Sequence, residues 1–141
     1  MPTSNPISAS WSLQTSIHAR LTADATLTGL LGGPRVYDDV PRGASFPYVT
    51  FGLTSEKDWS TGTEDGGEHI VSLHVWSRAP GRRQAAGIMA AIRRVLHDQP
   101  MVLTGHRLVN LRQEFADVRR DPDGETFHGI VRLRAVTEPL V

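Results

Sequence analysis

The stretch His69-Ile-Val-Ser-Leu-His-Val-Trp-Ser77, followed by the break Pro80-Gly81 and by residues 82–97, decides the fold of this chain. In the first stretch bulky side chains stand on both alternating faces, which is typical of a central strand with material packed on each side. Residues 82–97 repeat apolar side chains at helical spacing and leave arginines on the polar flank. The apolar positions are Ala85, Ile88, Met89, Ile92, Val95 and Leu96. Together these segments predict a sheet with a central amphipathic helix packed on it.

Working outward, four further stretches show strand patterns. Val49, Phe51 and Leu53 alternate with smaller or more polar residues and are expected on one face of a half-buried strand. The turn Asp121-Pro-Asp-Gly124 sits between two apolar runs and predicts an antiparallel hairpin, because proline presets φ and glycine tolerates positive φ. The predicted strands are residues 35–38, 48–54, 69–77, 106–118 and 127–136.

The N-terminal part of the chain reads as helical from about Ser10. Leu13, Ile17 and Leu21 recur at four-residue steps and share one face. Asp24 is a good N-cap for a second helical segment, which the pair Gly32-Gly33 ends. One bent helix and two short helices are both compatible with this pattern.

The order helix, strands, helix, strands predicts an α+β domain with a mostly antiparallel sheet, one N-terminal helical region and one central helix. The domain is expected to span residues 10–141. Residues 1–9, rich in Pro, Ser, Thr and Asn, are expected to be a flexible leader. Residues 58–68 are Gly-rich and acidic with few apolar side chains, so they are expected to form a mobile loop within the domain.

Composition narrows the functional classes. A chain of 141 residues fits one domain. The chain has no cysteine, which excludes disulfides, thiolate metal sites and thiol catalysis. Fifteen basic and fifteen acidic residues balance, which argues against a dedicated nucleic-acid binder. No signal peptide pattern and no apolar run of membrane-spanning length is present, so we expect no membrane partner.

No pattern in the sequence predicts a catalytic, cofactor-binding or metal-binding residue. The six histidines lack the local pairs that metal sites usually show. They are His18, His69, His74, His97, His106 and His128. Neither a Gly-x-Ser-x-Gly elbow nor a phosphate-binding glycine loop occurs. Glu64, Asp65 and Glu68 cluster in a Gly-rich segment that could not hold a general acid and base in fixed geometry.

Several arginines and a tryptophan are the candidate interface residues. The arginines lie on or beside the central helix, residues 82–97, and the hairpin of residues 106–136. They either bridge subunits, where Arg is enriched, or form a solvated flank. Trp59, in the polar loop, either tucks back onto the domain or anchors a partner. Trp76 is expected in the core or on a sheet face, and Trp11 is left open. The candidate set is Trp59, Arg82, Arg83, Arg93, Arg94, Arg119 and Arg120.

An ordered set of short stretches resembles the family of tail terminators, the small tail-completion proteins of long-tailed phages and gene-transfer particles. The set covers residues 13–136, and no single piece of it is specific. The stretches are Leu21-Thr-Ala-Asp-Ala25 with Leu30-Leu-Gly-Gly33, Arg35-Val-Tyr-Asp38, Val40-Pro41, Phe46-Pro-Tyr-Val49 with Phe51-Gly52, and Leu73-His-Val-Trp-Ser77 followed by Gly81-Arg82.

The resemblance implies a structural virion protein without cofactor or catalytic residues. Such proteins form a ring, typically sixfold, at the head-proximal end of the tail tube, where the ring ends tube polymerisation and joins the tail to the head connector. The implied partners are further copies of the chain, the tail-tube protein and the connector or stopper protein, with DNA only as passing cargo. The implied location is the tail or neck of a particle assembled in the bacterial cytoplasm. A head-completion (stopper) protein and, with less support, a small enzyme with a dispersed site are the alternatives.

Overall fold

The computed structural model describes residues 7–62 and 65–140. Within these residues, three helices and a five-stranded, mostly antiparallel sheet confirm the predicted α+β class. The elements are α1 (Ala9–Ala23), α2 (Ala25–Leu31), β1 (Val36–Tyr37), β2 (Tyr48–Asp58), β3 (Gly67–Ser77), α3 (Arg83–Leu96), β4 (His106–Arg120) and β5 (Phe127–Pro139). The leader predicted at residues 1–9 lies mostly outside the described residues.

The strands are ordered β1-β2-β3-β5-β4, so the stretch from His69 to Ser77 lies in the central strand, as predicted. β1 runs parallel to β2, and the other neighbouring pairs are antiparallel. β4 and β5 form the predicted hairpin. In its turn the Asp123 carboxylate accepts a bond from the Thr126 N–H at 2.9 Å, and Gly124 has a φ of 76°, a conformation that favours glycine.

β2 and β3 are longer than the alternation predicted, because they pair as far as Asp58 and Gly67. The end of β2 is polar and exposed, so no apolar periodicity marks it as a strand. The segment joining the two strands is therefore residues 59–66 instead of 58–68, and residues 63 and 64 lie outside the described part of the chain. The mobility expected for this loop stays a prediction.

A bulge in β2 changes which residues face the core. The pairing shifts between Phe51 and Thr54, so Thr54 takes the position opposite Val71. Leu53, predicted to share a face with Val49 and Phe51, is consequently 64% exposed. The bulge adds one residue to the strand and thereby moves every later side chain to the other face.

The N-terminal region forms two helices. The Ser8 side chain accepts from the Trp11 N–H at 3.0 Å and caps α1. The Asp24 carboxylate accepts from the Leu27 N–H at 2.9 Å and caps α2, as predicted. α2 ends at Leu31, and the next residue, Gly32, has a φ of 82°, the left-handed conformation that glycine permits at a helix C-terminus.

α3 ends before Pro100 is reached. The helix finishes at Leu96, and Asp98 adopts a φ of 57°. The Asp98 N–H donates to the Leu111 carbonyl at 2.8 Å, so the chain leaves the helix to bond to β4. Pro100 follows this departure and does not cause it.

All three helices pack on the same face of the sheet and form one hydrophobic core. Burying each large aliphatic side chain contributes about 1.5–3 kcal/mol. The expectation that other elements cover both faces of β3 is wrong within the described residues, because Ile70, His74 and Trp76 on the second face are only half-buried. The largest fully buried side chains are Leu13, Ile17, Leu21, Leu27, Leu31, Leu73, Ile88, Ile92, Leu96, Leu111, Leu133 and His69.

None of the helices in residues 7–62 and 65–140 has the length and apolar character needed to cross a lipid bilayer.

Candidate interaction surfaces

Two of the predicted interface arginines meet on one aromatic ring. Arg82 precedes α3 and places its guanidinium carbon 5.5 Å from the ring centroid of Phe127. Arg120, at the end of β4, lies 5.1 Å from the same centroid. Phe127 is buried at the start of β5, whereas both arginines remain exposed. The contacts are worth about 0.5–1 kcal/mol each at exposed sites, so these arginines stabilise the subunit and still present charge to solvent.

The next two candidate arginines differ in their surroundings. Arg119 donates from Nη2 to Asp117 Oδ2 at 3.0 Å, two positions away on β4. Arg83 is exposed at the first turn of α3 and lies beside an apolar groove lined by Leu30 and Pro80. Arg119 is therefore partly neutralised within its own strand, whereas Arg83 borders an apolar surface.

Arg93 and Arg94 are neighbours on α3 with different contacts. Arg94 Nη2 lies 2.6 Å from Asp24 Oδ2, at the junction of α1 and α2. That hydrogen bond, together with the Leu27 N–H, lowers the pKa of Asp24 below its ordinary value. Arg93 is exposed in the last turn of the helix. The structure thus ties Arg94 to its own subunit and leaves Arg93 on the surface.

Trp59 shows features of both predicted alternatives. Its backbone N–H donates to the Gly66 carbonyl at 2.9 Å, and the Arg134 guanidinium carbon lies 5.1 Å from its ring centroid. The residue is nevertheless 51% exposed. One side of the indole therefore contacts the domain and the rest meets solvent. Trp11 is also exposed, and Trp76 lies on the face of the sheet that points away from the helices.

The acidic cluster does not form a carboxylate pair in the described residues. Glu68 accepts from Arg134 Nε at 2.5 Å, which commits it to β5. Asp65 is exposed in the connecting segment, and Glu64 lies outside the described residues. Within the described residues, the cluster therefore consists of one exposed carboxylate, Asp65, and one carboxylate held by Arg134, which do not form a paired acid and base.

The sheet face away from the helices carries a stack that the sequence did not predict. Trp76 and His128 stack with ring centroids 4.0 Å apart, and His74 lies 4.8 Å from His128. The Nδ1 of His74 and the Nε2 of His128 are 2.6 Å apart, so one ring donates to the other. Burial lowers the pKa of both histidines and so favours their neutral forms, and the bond requires that the accepting ring be neutral. We call His74, Trp76 and His128 the open-face stack.

The register of β3 and β5 brings the open-face stack together. Trp76 pairs with His128, and His74 is two residues away on the same face. Each residue could be placed on a strand face from the sequence, but their contact depends on which strands are neighbours. The order β3-β5, with a helix and a strand between them in the chain, was not predictable from local pattern.

The other four histidines form hydrogen bonds with backbone or side-chain groups of the chain. Burial lowers the pKa of His69, which is fully enclosed at one end of the core. No group of three metal-ligating side chains that could hold a metal ion occurs in residues 7–62 and 65–140. The contacts join His18 Nε2 to the Val36 carbonyl, His69 Nε2 to Thr137 Oγ1, His97 Nδ1 to the Gln113 N–H, and His106 Nε2 to the Ile7 carbonyl.

Comparison with known proteins gives concordant results. The family model described as "Tail completion protein gp17" matches residues 15–138. The tail completion protein gp17 of Bacillus phage SPP1 is 30% identical over 89 residues, which are 63% of this chain and 66% of that protein, just under two thirds of its length. A chain in the virion of a native gene transfer agent particle is 31% identical, with a TM-score of 0.86 over 94% of this chain and 99% of that one.

The solved structure of the bacteriophage SPP1 gp17 protein is also similar, with a TM-score of 0.60 and 25% identity over 90% of this chain and 89% of that one. The family is a structural tail-completion component of phage-type virions, so the predicted structural and non-enzymatic role and the location in the tail region of a virion are confirmed. From its match over residues 15–138, the chain belongs to the tail completion protein gp17 family.

Proposed function

We propose that the chain forms a ring, with six copies, at the head-proximal end of the tail tube. There it ends tube polymerisation and joins the tail to the head connector. The observation that carries the proposal is the similarity to a chain of a gene transfer agent virion, which extends over 99% of that chain. The similarity includes the whole domain, so it supports the same kind of place in a particle.

The partners in this proposal are other copies of the chain, the tail-tube protein and the connector or stopper protein. Zero net charge supports association between subunits, because a balanced chain has little long-range repulsion to overcome. The same balance supports DNA as passing cargo only, since proteins dedicated to nucleic-acid binding usually carry a surplus of Lys and Arg.

Deleting the gene in the producing bacterium and imaging its particles tests the proposal. We expect tails of uncontrolled length without heads, beside filled heads without tails. Restoring the gene on a plasmid should restore finished particles, and a labelled copy should mark the head-proximal end of the tube. Tails of normal length beside heads that have lost their DNA would instead identify the head-completion alternative. A label elsewhere on the particle would overturn both.

A further inference from the structure

An apolar groove of about 460 Å³ runs between α2 and the start of α3. Leu30, 44% exposed, lines it together with Pro80 and Gly87, and Arg83 stands beside them. A leucine exposed within a concave apolar surface differs from a leucine scattered singly on a convex one, because such concave patches mark contact sites.

The helices beside this groove contain glycines that the subunit does not require. Gly29 lies in α2 and Gly87 in α3, and a Cβ added at either would meet nothing within 4 Å. Glycine in a helix interior is less favourable than alanine. Alanine would fit sterically at both positions. The presence of glycine is therefore consistent with a surface that the backbone of another molecule approaches closely.

The charge around the groove selects the chemistry of its partner. Arg83 lines the groove, and Arg82 is exposed one residue before α3. A segment that enters the groove should therefore combine a large apolar side chain with carboxylates.

The chain itself carries such a segment at the end of the β2–β3 hairpin. Trp59 is half-exposed, and Asp58 and Asp65 beside it are exposed carboxylates. Trp and Arg are the residue types that most often dominate the energy of protein–protein contacts. The two surfaces are complementary in both charge and apolar character.

The geometry points to a contact in which Trp59 of one copy enters the α2–α3 groove of the next copy, with Asp58 and Asp65 facing Arg82 and Arg83. This inference rests on the proposed ring and names its subunit contact. The hairpin loop precedes β3 at Gly67. β3 ends at Ser77, and α3 starts a few residues later, at Arg83. The two surfaces are therefore different and lie far apart on each copy, so the contact is head-to-tail, the kind that can close into a ring.

Cross-linking in assembled particles tests this contact, and because the chain has no cysteine, the introduced pair supplies the thiols of each copy. Particles are produced with the double variant Ser60→Cys and Leu30→Cys and treated with a short bis-maleimide. We expect a ladder of cross-linked dimers and higher species on a denaturing gel. The matched control combines Ser60→Cys with Val102→Cys, which is 95% exposed away from the groove and should give no ladder.

A second variant separates contact from folding. Gly87→Leu places a side chain at the groove and should leave the melting temperature of the isolated subunit unchanged or higher, because a Cβ at this position meets nothing within 4 Å and leucine is a better helix former than glycine. Finished tails should fall at least tenfold, and the ladder should disappear when Gly87→Leu is added to the cysteine pair. Ala19→Leu, on an exposed part of α1, is the control and should assemble normally.

The outcomes distinguish the contact from the ring. If a ring is visible on the tails but the groove pair gives no ladder, the contact is overturned and the ring stands. The same conclusion follows if a ring is visible and Gly87→Leu gives normal tails. Wild-type tails without any ring overturn the proposed function and this contact with it. Equal ladders from the groove pair and the control pair also overturn the contact.

Discussion

One face of the sheet packs against three helices, whereas the other face, within the described residues, is covered only by its own side chains. The covered face is made of aliphatic residues from β3 and β5 together with the apolar sides of the helices. The open face holds the His74, Trp76 and His128 stack, and Arg132 and Arg134 lie over Phe115 and Trp59. The same strands therefore stabilise two surfaces by different interactions.

This difference separates folding from recognition. Aliphatic burial is non-directional and roughly proportional to area, so it suits a core that must form in every subunit. Aromatic and arginine contacts are directional and keep a polar edge, so they suit a surface that remains available to another protein. The covered face should therefore respond strongly to truncation, and the open face more weakly.

Truncation of the covered face should have the largest effect. Ile92 lies on α3 and is fully buried against the sheet. Ile92→Ala should lower the free energy of unfolding by about 2–5 kcal/mol, since it removes buried methylenes and leaves a cavity. Chemical denaturation followed by circular dichroism measures this. Arg93→Ala, one residue along on the exposed side, is the control, and equal losses from the two variants would contradict the assignment of the faces.

The covered face could be predicted from the sequence and the open face could not. The apolar stripe of α3 and the alternation in β3 are local patterns, and each one locates its own buried side. The open-face stack depends on the register between β3 and β5, which no local pattern contains. Likewise, the partner of Arg94 is Asp24, far away in the sequence. The bulge escaped prediction for the same reason, because it is defined by the pairing with the next strand, where the ring of His74 lies against Gly52.

That bulge gives the next largest expected effect. A Cβ at Gly52 would overlap with the imidazole of His74. Gly52→Ala should therefore lower the free energy of unfolding by about 1–3 kcal/mol, as overpacking does. Adding His74→Ala should recover part of that loss, and a double-mutant cycle in urea measures the coupling. Gly62→Ala, where a Cβ would meet nothing within 4 Å, should be nearly neutral. Additive losses at Gly52 and His74 would disprove the contact.

The pH dependence of stability distinguishes the faces further. Burial lowers the folded-state pKa of His74 and His128 below the ordinary value of 6.5. At a pH between the folded-state pKa and 6.5, the unfolded chain therefore binds more protons than the folded chain. The stabilisation is then fully present above about pH 6.5 and is lost as pH falls through the depressed folded-state pKa values. Asp121, 3.6 Å from His128, opposes the shift of that residue without reversing it.

Urea unfolding at pH 7.5 and pH 5.0 should therefore give a lower free energy of unfolding at the lower pH. His128→Phe keeps an aromatic ring against Trp76 and removes one titrating group, so its loss between the two pH values should be smaller. Some loss should remain, because burial also lowers the pKa of His69. An unchanged difference in His128→Phe would mean that the stack does not carry the pH dependence.

The smallest expected effect concerns Arg93 and Arg94, at the border of the covered face. Arg94 pairs with Asp24 but is mostly solvated, so Arg94→Ala should lower the free energy of unfolding by no more than about 1 kcal/mol. Arg93→Ala should change it by less than about 0.5 kcal/mol, because an exposed charge away from a partner contributes little. Thermal melting of both single variants, compared with tail completion, measures the two roles separately. Normal melting with reduced completion in Arg93→Ala would assign that residue to an interface. Normal melting with normal completion would mean that Arg93 is a solvated surface residue. A larger loss of melting temperature in Arg93→Ala than in Arg94→Ala would contradict the contacts described for both residues.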